Sequence, residues 1–341
     1  MKRPAPSARQ LHIGWIDLGV SALANAPPPA NGYAFAVISP LTLDCLGATA
    51  WSDAISLSPC IVNRSYRPSV SAQATPPVCL AKEVDWPDTA SVRSSAEVLI
   101  HARAVLDRTL NGFSGGTVLI DATAVSKSLL SSLVGMLIRT NSVVGIDIVY
   151  QKMAYLYEGK TLEAVYAAGP ISHNINDIDF AFCAVPYVEG KYKPGLKRHV
   201  IVLCGLDFQR VLGKIRELEP AQINVIVETE AMIDPDSSKA FHKMCAQLGV
   251  ETEDIAVADR SDVAMVNTLL AAQVERGRAH GLHPIIIAAG GKPFTLVAAL
   301  QSVLASEAPL LTSIPDRVVE LQVESAGPYQ LFRLRDRSAI L

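Results

Sequence analysis

The chain has 341 residues, half of them hydrophobic and 18% charged, with a formal net charge of -3. That length admits two modest domains or one large one, and the apolar fraction supplies a core while excluding long disordered tracts. The near-balanced charge excludes a surface given over to nucleic acid and leaves room for a local basic pocket.

At the N-terminus Lys2, Arg3 and Arg9 precede an apolar stretch, and Ala24-Asn25-Ala26 has the look of a small-residue cleavage site. His12 and Asp17 interrupt the apolar core, so the stretch is not read as a signal peptide. No run approaches the ~18 apolar residues of a membrane span, and a soluble, cytoplasmic protein with no membrane partner is expected. The six cysteines (45, 60, 79, 183, 204 and 245) form no CxxC pair and no metal-ligand spacing, so neither a metal nor a cofactor is expected. Cys204 and Cys245 fall in apolar runs and read as buried, reduced thiols.

Residues 1–90 are rich in proline and serine; Pro27-Pro28-Pro29 and Pro76-Pro77 exclude long helices. "YAFAVISP" (33–40) and "LSPCIVNRS" (57–65) read as strands joined by loops. A helix capped by Ser94 or Ser95 and closed near Gly112 follows, with Val98, Leu99, Ala102, Val105 and Leu106 at helical spacing. Then a β-branched run (117–120) ends at Asp121, a helix carries Leu129, Leu130, Leu133 and Leu137, and "VVGIDIVYQ" (143–151) is the next strand, which makes a βαβ unit.

The second half repeats the alternation: "RHVIVLCG", a helix closed by Pro220, "INVIVETE", a helix capped by Asp236 or Ser237 with Gly249 beyond its end, and "EDIAVAD". A long helix capped by Ser261 or Asp262 leads to "HPIIIAAGG" and the helix "KPFTLVAALQSVLASE". The tail "VVELQVESAGPYQLFRLR" reads as two closing strands around a Gly327-Pro328 turn. The expected class is α/β: a Rossmann-like, mostly parallel sheet with helices on both faces over 198–341, preceded by a degenerate, β-rich α/β region over 1–190.

In such sheets ligands lie outside the carboxyl ends of the strands. Three loops therefore carry the candidates. In "CGLDFQR", Gly205, Leu206, Asp207 and Phe208 follow a strand directly; Gly205 permits a close approach, and Asp207 can cap the next helix. In "AAGGKPF", Gly290 and Gly291 expose backbone N–H groups at a helix start, Lys292 adds charge, Pro293 suits the first turn and Thr295 offers a hydroxyl. This is an anion-binding pattern, although neither GxxxxGK[ST] nor GxGxxG occurs. In "LIDATAVSKS", Asp121 and Thr123 end a strand; threonine stands where a DxDx[TV] phosphotransferase has its second aspartate, so Asp121 reads as a cap or polar ligand contact. The seven histidines form no triad pattern and no GxSxG elbow exists, so no catalytic residue is assigned.

Residues 198–341 resemble a CARF-type domain, the Rossmann-like sensor of CRISPR-associated and other antiviral proteins. The likeness rests on the first strand with its "CGLDFQR" loop and on "IIIAAGGKPFTLVAAL", similar to a Gly-Gly-(Thr/Ser)-Lys-Pro loop; Gly291 here runs straight into Lys292 without the small hydroxyl residue. "GPYQLFRL" and "LIDATAVSKSLLSSLVGML" are similar to segments of related defence-associated chains. The resemblance implies a nucleotide-sensing regulatory protein of an antiviral-defence system, a homodimer that binds a cyclic oligonucleotide or other phosphorylated small molecule. Phosphates would lie on Gly290–Lys292 and bases against Gly205–Phe208, with the output delivered by an effector protein in trans. Two other readings stay open: an enzyme on a phosphorylated small molecule (phosphodiesterase or sugar-phosphate isomerase-like), and a non-catalytic scaffold subunit.

Overall fold

A computed structural model of the chain describes residues 19–22, 28, 33–38, 51, 54, 60–62, 82–83, 115–140, 143–157, 160–161, 180–205, 208–306, 308–315 and 322–335. The expected helix between Ser94 and Gly112 lies outside these residues, as do Leu206 and Asp207.

The strands are β1 (Gly19–Ala22), β2 (Phe35–Ile38), β3 (Cys60–Val62), β4 (Lys82–Glu83), β5 (Gly116–Asp121), β6 (Val143–Tyr157), β7 (Lys160–Thr161), β8 (Phe180–Ala184), β9 (Arg198–Cys204), β10 (Gln222–Glu228), β11 (Ile255–Ala258), β12 (His283–Ala288), β13 (Leu310–Pro315) and β14 (Gln322–Arg335). The helices are α1 (Lys127–Ile138), α2 (Leu212–Glu217), α3 (Pro235–Gln247), α4 (Val263–Ala279) and α5 (Lys292–Gln301). The first sheet runs β1-β14-β6-β5-β2-β3-β4, with β7 on the edge of β6; the second runs β11-β10-β9-β12-β13-β8. The chain is thus α/β with two mixed, mostly parallel sheets. Pairing is parallel through β4-β3-β2-β5-β6 and through β11-β10-β9-β12-β13, and antiparallel where β14 meets β6 and β8 meets β13.

Sheet membership crosses the sequence boundary expected near 190–198. β8 joins the second sheet and β14 returns to the first. The expected turn at Gly327-Pro328 is instead an irregularity within one long strand: β14 pairs with β6 from Gln322 to Ser325, shifts register, and resumes at Tyr329. A proline cannot donate to a ladder, so it is accommodated where pairing is broken, and the long partner strand recaptures the chain beyond it.

The central strands of the second sheet are buried on both faces, which is why they read as unbroken apolar runs. On one face Val200, Val202, Val225, Val227, Ile285 and Ile287 pack with Ile215 of α2 and Phe241 and Cys245 of α3. On the other, Ile201, Leu203, Ile226 and Ile286 join α4 and α5. The same cluster continues through α1 into Val118, Ile120, Ile146 and Ile148 of the first sheet, so α1 and α5 pack together in a core common to both sheets. Cys204 and Cys245 are buried free thiols, and burial pushes Cys245 up to about 12.

The helix caps follow short-range chemistry. Asp262 caps α4 through Met265 N, one of the two candidates; α3 is capped by Asp234, not Asp236 or Ser237, because Pro235 takes the first turn and moves the start forward. Gly249, φ +71°, ends that helix in the left-handed region.

A close approach fixes Gly277 near the end of α4. A Cβ there would sit 2.1 Å from Nδ1 of His199, a buried side chain held by Asn224 at 2.6 Å. Burial lowers the His199 pKa, which favours the neutral ring against the helix. Gly277→Ala should therefore destabilise by about 2 kcal/mol despite alanine's better helix propensity, measured as a urea midpoint shift at constant m. A stabilised variant would show that the contact is loose.

Candidate functional site

Strand order in the second sheet reverses between β9 and β12, so the crevice at their carboxyl ends is the expected ligand position of an open α/β sheet. Gly205 closes β9 there, and Ala289, Gly290 and Gly291 join β12 to α5. Gly291 is the N-cap of α5, with no side chain to supply a capping acceptor, and Pro293 occupies the first turn.

A second strand–loop–helix corner faces this one. β5 ends at Asp121, whose carboxylate accepts from Thr123 N at 2.8 Å, and a short 3-10 turn over Ala122–Ala124 leads to α1. Ser126 caps α1 through Leu129 N at 3.2 Å. Thr123 is buried and its hydroxyl accepts from Gln151 N at 2.9 Å, tying the corner to β6.

The first residue of each helix is a lysine, and the two lysines cross. Lys127 Nζ donates to the Ala289 carbonyl at 2.6 Å, and Lys292 Nζ donates to the Thr123 carbonyl. Each corner is thus held by the other's ammonium group. Lys292 keeps partial exposure as a residue, but its ammonium is enclosed. Burial pushes its pKa down to about 7, against the favourable field of Asp121 and with the repulsion of Lys127. The two lysine side chains are near enough for the charge of Lys127 to act on Lys292.

Beside the β12–α5 corner the space left by the glycines is occupied by Glu228, at the end of β10. Gly291 N–H donates to its Oε1. A Cβ at Gly205 would meet Glu228 Oε2 at 3.1 Å, one at Gly290 would meet Oε1 at 3.0 Å, and one at Gly291 would meet Oε1 at 2.8 Å. An anionic group does approach this backbone: the protein's own carboxylate. The Gly290 N–H is also satisfied, by Leu203 O at 2.8 Å. Arg260 lies 3.5 Å from Glu228 Oε2 and is paired with Glu230, which also holds Lys152 of β6 at 2.8 Å.

Of the sequence candidates, Asp121, Thr123, Gly205, Gly290, Gly291 and Lys292 lie at these two facing corners. Phe208 and Thr295 have packing roles. Phe208 is 1% exposed, with its ring 5.0 Å from that of Phe241, so it is not presented as a platform for a base. Thr295 is fully buried, its hydroxyl reaching back to Gly291 O at 3.4 Å. Sequence reasoning missed Lys127, Glu228 and Arg260. A usable signal for Glu228 was its place as the last residue of a buried parallel strand beside the switch point; Lys127 and Arg260 arrive through packing of distant elements.

Among the described residues no group of three or more histidine, cysteine, aspartate or glutamate side chains is arranged to hold a metal ion, and no helix is long and apolar enough to cross a membrane. No protein-family model matches the sequence, and no curated protein gives a significant match.

Proposed function

We propose that the chain is a nucleotide-sensing regulatory protein, binding a cyclic oligonucleotide or a similar phosphorylated signal between the β5–α1 and β12–α5 corners. The observation that carries the reading is the crossing of Lys127 and Lys292 over two apposed helix N-termini. Positive charge, helix dipoles and a glycine-lined approach are the ordinary means of holding phosphate. The class of signal, the setting in antiviral defence and the Rossmann-like, CARF-like character of residues 198–341 rest on the resemblance of "CGLDFQR" and "AAGGKPF" to that family. A two-fold ligand needs two lysine-bearing corners. In a homodimer the ligand would straddle the paired carboxyl-end loops of two copies, one site from two half-sites, and an effector protein in trans would read the occupied state.

An enzyme reading has one observation in its favour: a lysine with a pKa near 7 can exchange protons at neutral pH and could serve phosphodiester cleavage. The same experiment weighs it. Purified protein is melted with cyclic di-, tri-, tetra- and hexanucleotides, linear oligoadenylates, NAD and sugar phosphates, and the nucleotide is recovered for mass analysis. A ligand that binds the native state raises the melting temperature by mass action, roughly 2.7 kcal/mol at 100 times Kd. One cyclic nucleotide should shift the parent protein, and the shift should vanish in Lys292→Glu and in Lys127→Glu. Recovered ligand that has been cleaved favours the enzyme. No shift with any compound would sink the sensor and favour a scaffold subunit.

A further inference from the structure

The glycine cradle at the β12–α5 corner holds the carboxylate of Glu228, a residue that is 6% exposed. We propose that Glu228 is a resident substitute for the ligand's anionic group, occupying the Gly291 N–H in the empty protein and leaving it when phosphate binds. The proposal rests on the reading that this corner takes a phosphorylated ligand.

One N–H cannot serve two anionic acceptors. A phosphate arriving at Gly291 meets Glu228 at hydrogen-bond range, and like charges at that separation repel strongly in a partly buried site. Glu228 must then move, and the structure offers it a destination. Arg260 Nη1 stands 3.5 Å from Oε2, too far for a good hydrogen bond but within a small side-chain rotation of one. Arg260 now holds Glu230, and Glu230 has a second cation in Lys152 at 2.8 Å. Two acids and two bases can therefore exchange partners, Glu228 moving onto Arg260 while Glu230 stays with Lys152, and no charge is stranded. Independently of this network, Lys127 and Lys292 stand beside the cradle, both bonded to carbonyl oxygens across the corners, and an arriving anion favours the charged form of Lys292. The two lysines give an incoming anion the attraction needed to compete with the resident carboxylate. Lys152 belongs to the first sheet, so the pair that survives the exchange, Lys152–Glu230, is one that joins β6 to the turn after β10.

Inorganic pyrophosphate, titrated at matched ionic strength against the full chain, is the probe, with melting temperature as the readout. Glu228→Gln keeps the side chain's size and an oxygen for Gly291 while removing its charge. Its half-saturating pyrophosphate concentration should fall at least about ten-fold below that of the parent. Glu228→Asp draws the carboxylate back by one methylene while leaving it available to Arg260, and it should tighten binding in the same direction; should the glutamine variant fail to fold, this one decides. Variants that bind pyrophosphate no better than the parent, or less well, overturn the proposal and make Glu228 a fixed brace of the loop. So does a lack of any pyrophosphate effect in all three proteins. Pyrophosphate binding that tightens in the variants while no nucleotide shifts any of them upholds the exchange and sinks the nucleotide reading. A nucleotide that binds parent and Glu228→Gln equally does the reverse.

Discussion

Between pH 7 and pH 9 the parent protein is expected to gain up to about 2 kcal/mol of stability relative to a Lys292→Met variant. The sign follows from proton counting. The folded lysine has a pKa of about 7 because its ammonium is buried, whereas the unfolded lysine keeps its ordinary value near 10.5. Below pH 7 both states are protonated and the difference between the two proteins is flat. Above pH 7 the folded state has given up a proton that the unfolded state still binds, so stability rises with pH by at most about 1.4 kcal/mol per unit. Methionine preserves much of the buried stem and cannot titrate, so ionisations not coupled to Lys292 cancel in the difference. Urea unfolding of both proteins at half-unit steps from pH 6 to pH 9.5 measures it. Parallel curves would mean that the ammonium reaches water. The same physics gives the ligand a pH dependence: an anion beside Lys292 favours the charged form, so binding takes up a proton and weakens as pH rises above 7.

Much of the fold could be read because its signals are local. "HPIIIA" and "RHVIVLC" are continuous apolar runs, as doubly covered parallel strands must be, and Asp262 announces the helix that it caps; Asp121, the cap expected for α1, caps only the 3-10 turn before it, and Ser126 caps the helix. What could not be read depends on partners distant in sequence. Gly327-Pro328 has the chemistry of a turn, and only the length of β6 turns it into an interruption of one strand. β13 becomes a strand by pairing with β12, and the short β8 becomes one by adding antiparallel to β13 at the edge of a sheet assembled from the middle of the chain.

The candidate site divides in the same way. Gly290, Gly291 and Lys292 form a contiguous motif whose backbone freedom and charge are visible in the sequence. The crossing from Lys127 spans 162 positions and the bond from Gly291 to Glu228 spans 63, so neither leaves a mark at any spacing. Two adjacent glycines before a lysine-proline pair leave the backbone open to an acceptor, and the group found there is the Glu228 carboxylate. The motif itself carries no information on whether such an acceptor is a ligand or a side chain.

Asp147→Ala should be the most damaging single change outside the core, lowering stability by about 3 kcal/mol and loosening the last strand. Asp147 lies on β6 with its carboxylate fully buried. Tyr33 OH donates to Oδ2 at 3.0 Å, Arg335 Nη2 lies 2.5 Å from Oδ1, and Arg333 Nε lies 3.7 Å away. These partners come from the segment just before β2 and from β14, so one carboxylate ties three parts of the first sheet together. Its neighbourhood, with burial acting first, also raises the Tyr33 pKa well above the usual phenol range. Removing the carboxylate leaves two arginines side by side without a counter-charge. Their side chains are 27% and 29% exposed, and that access to water keeps the cost at the low end of the range for a broken buried pair. Hydrogen exchange should show the loss concentrated on the β14 amides, since the antiparallel β6–β14 ladder is what the ion pairs fasten. Asp147→Asn, which keeps an oxygen for Tyr33, should recover part of the loss. Equal stability of parent and alanine variant would mean that backbone pairing alone holds the strand. A full rescue by asparagine would assign the effect to the Tyr33 hydrogen bond and not to the arginines.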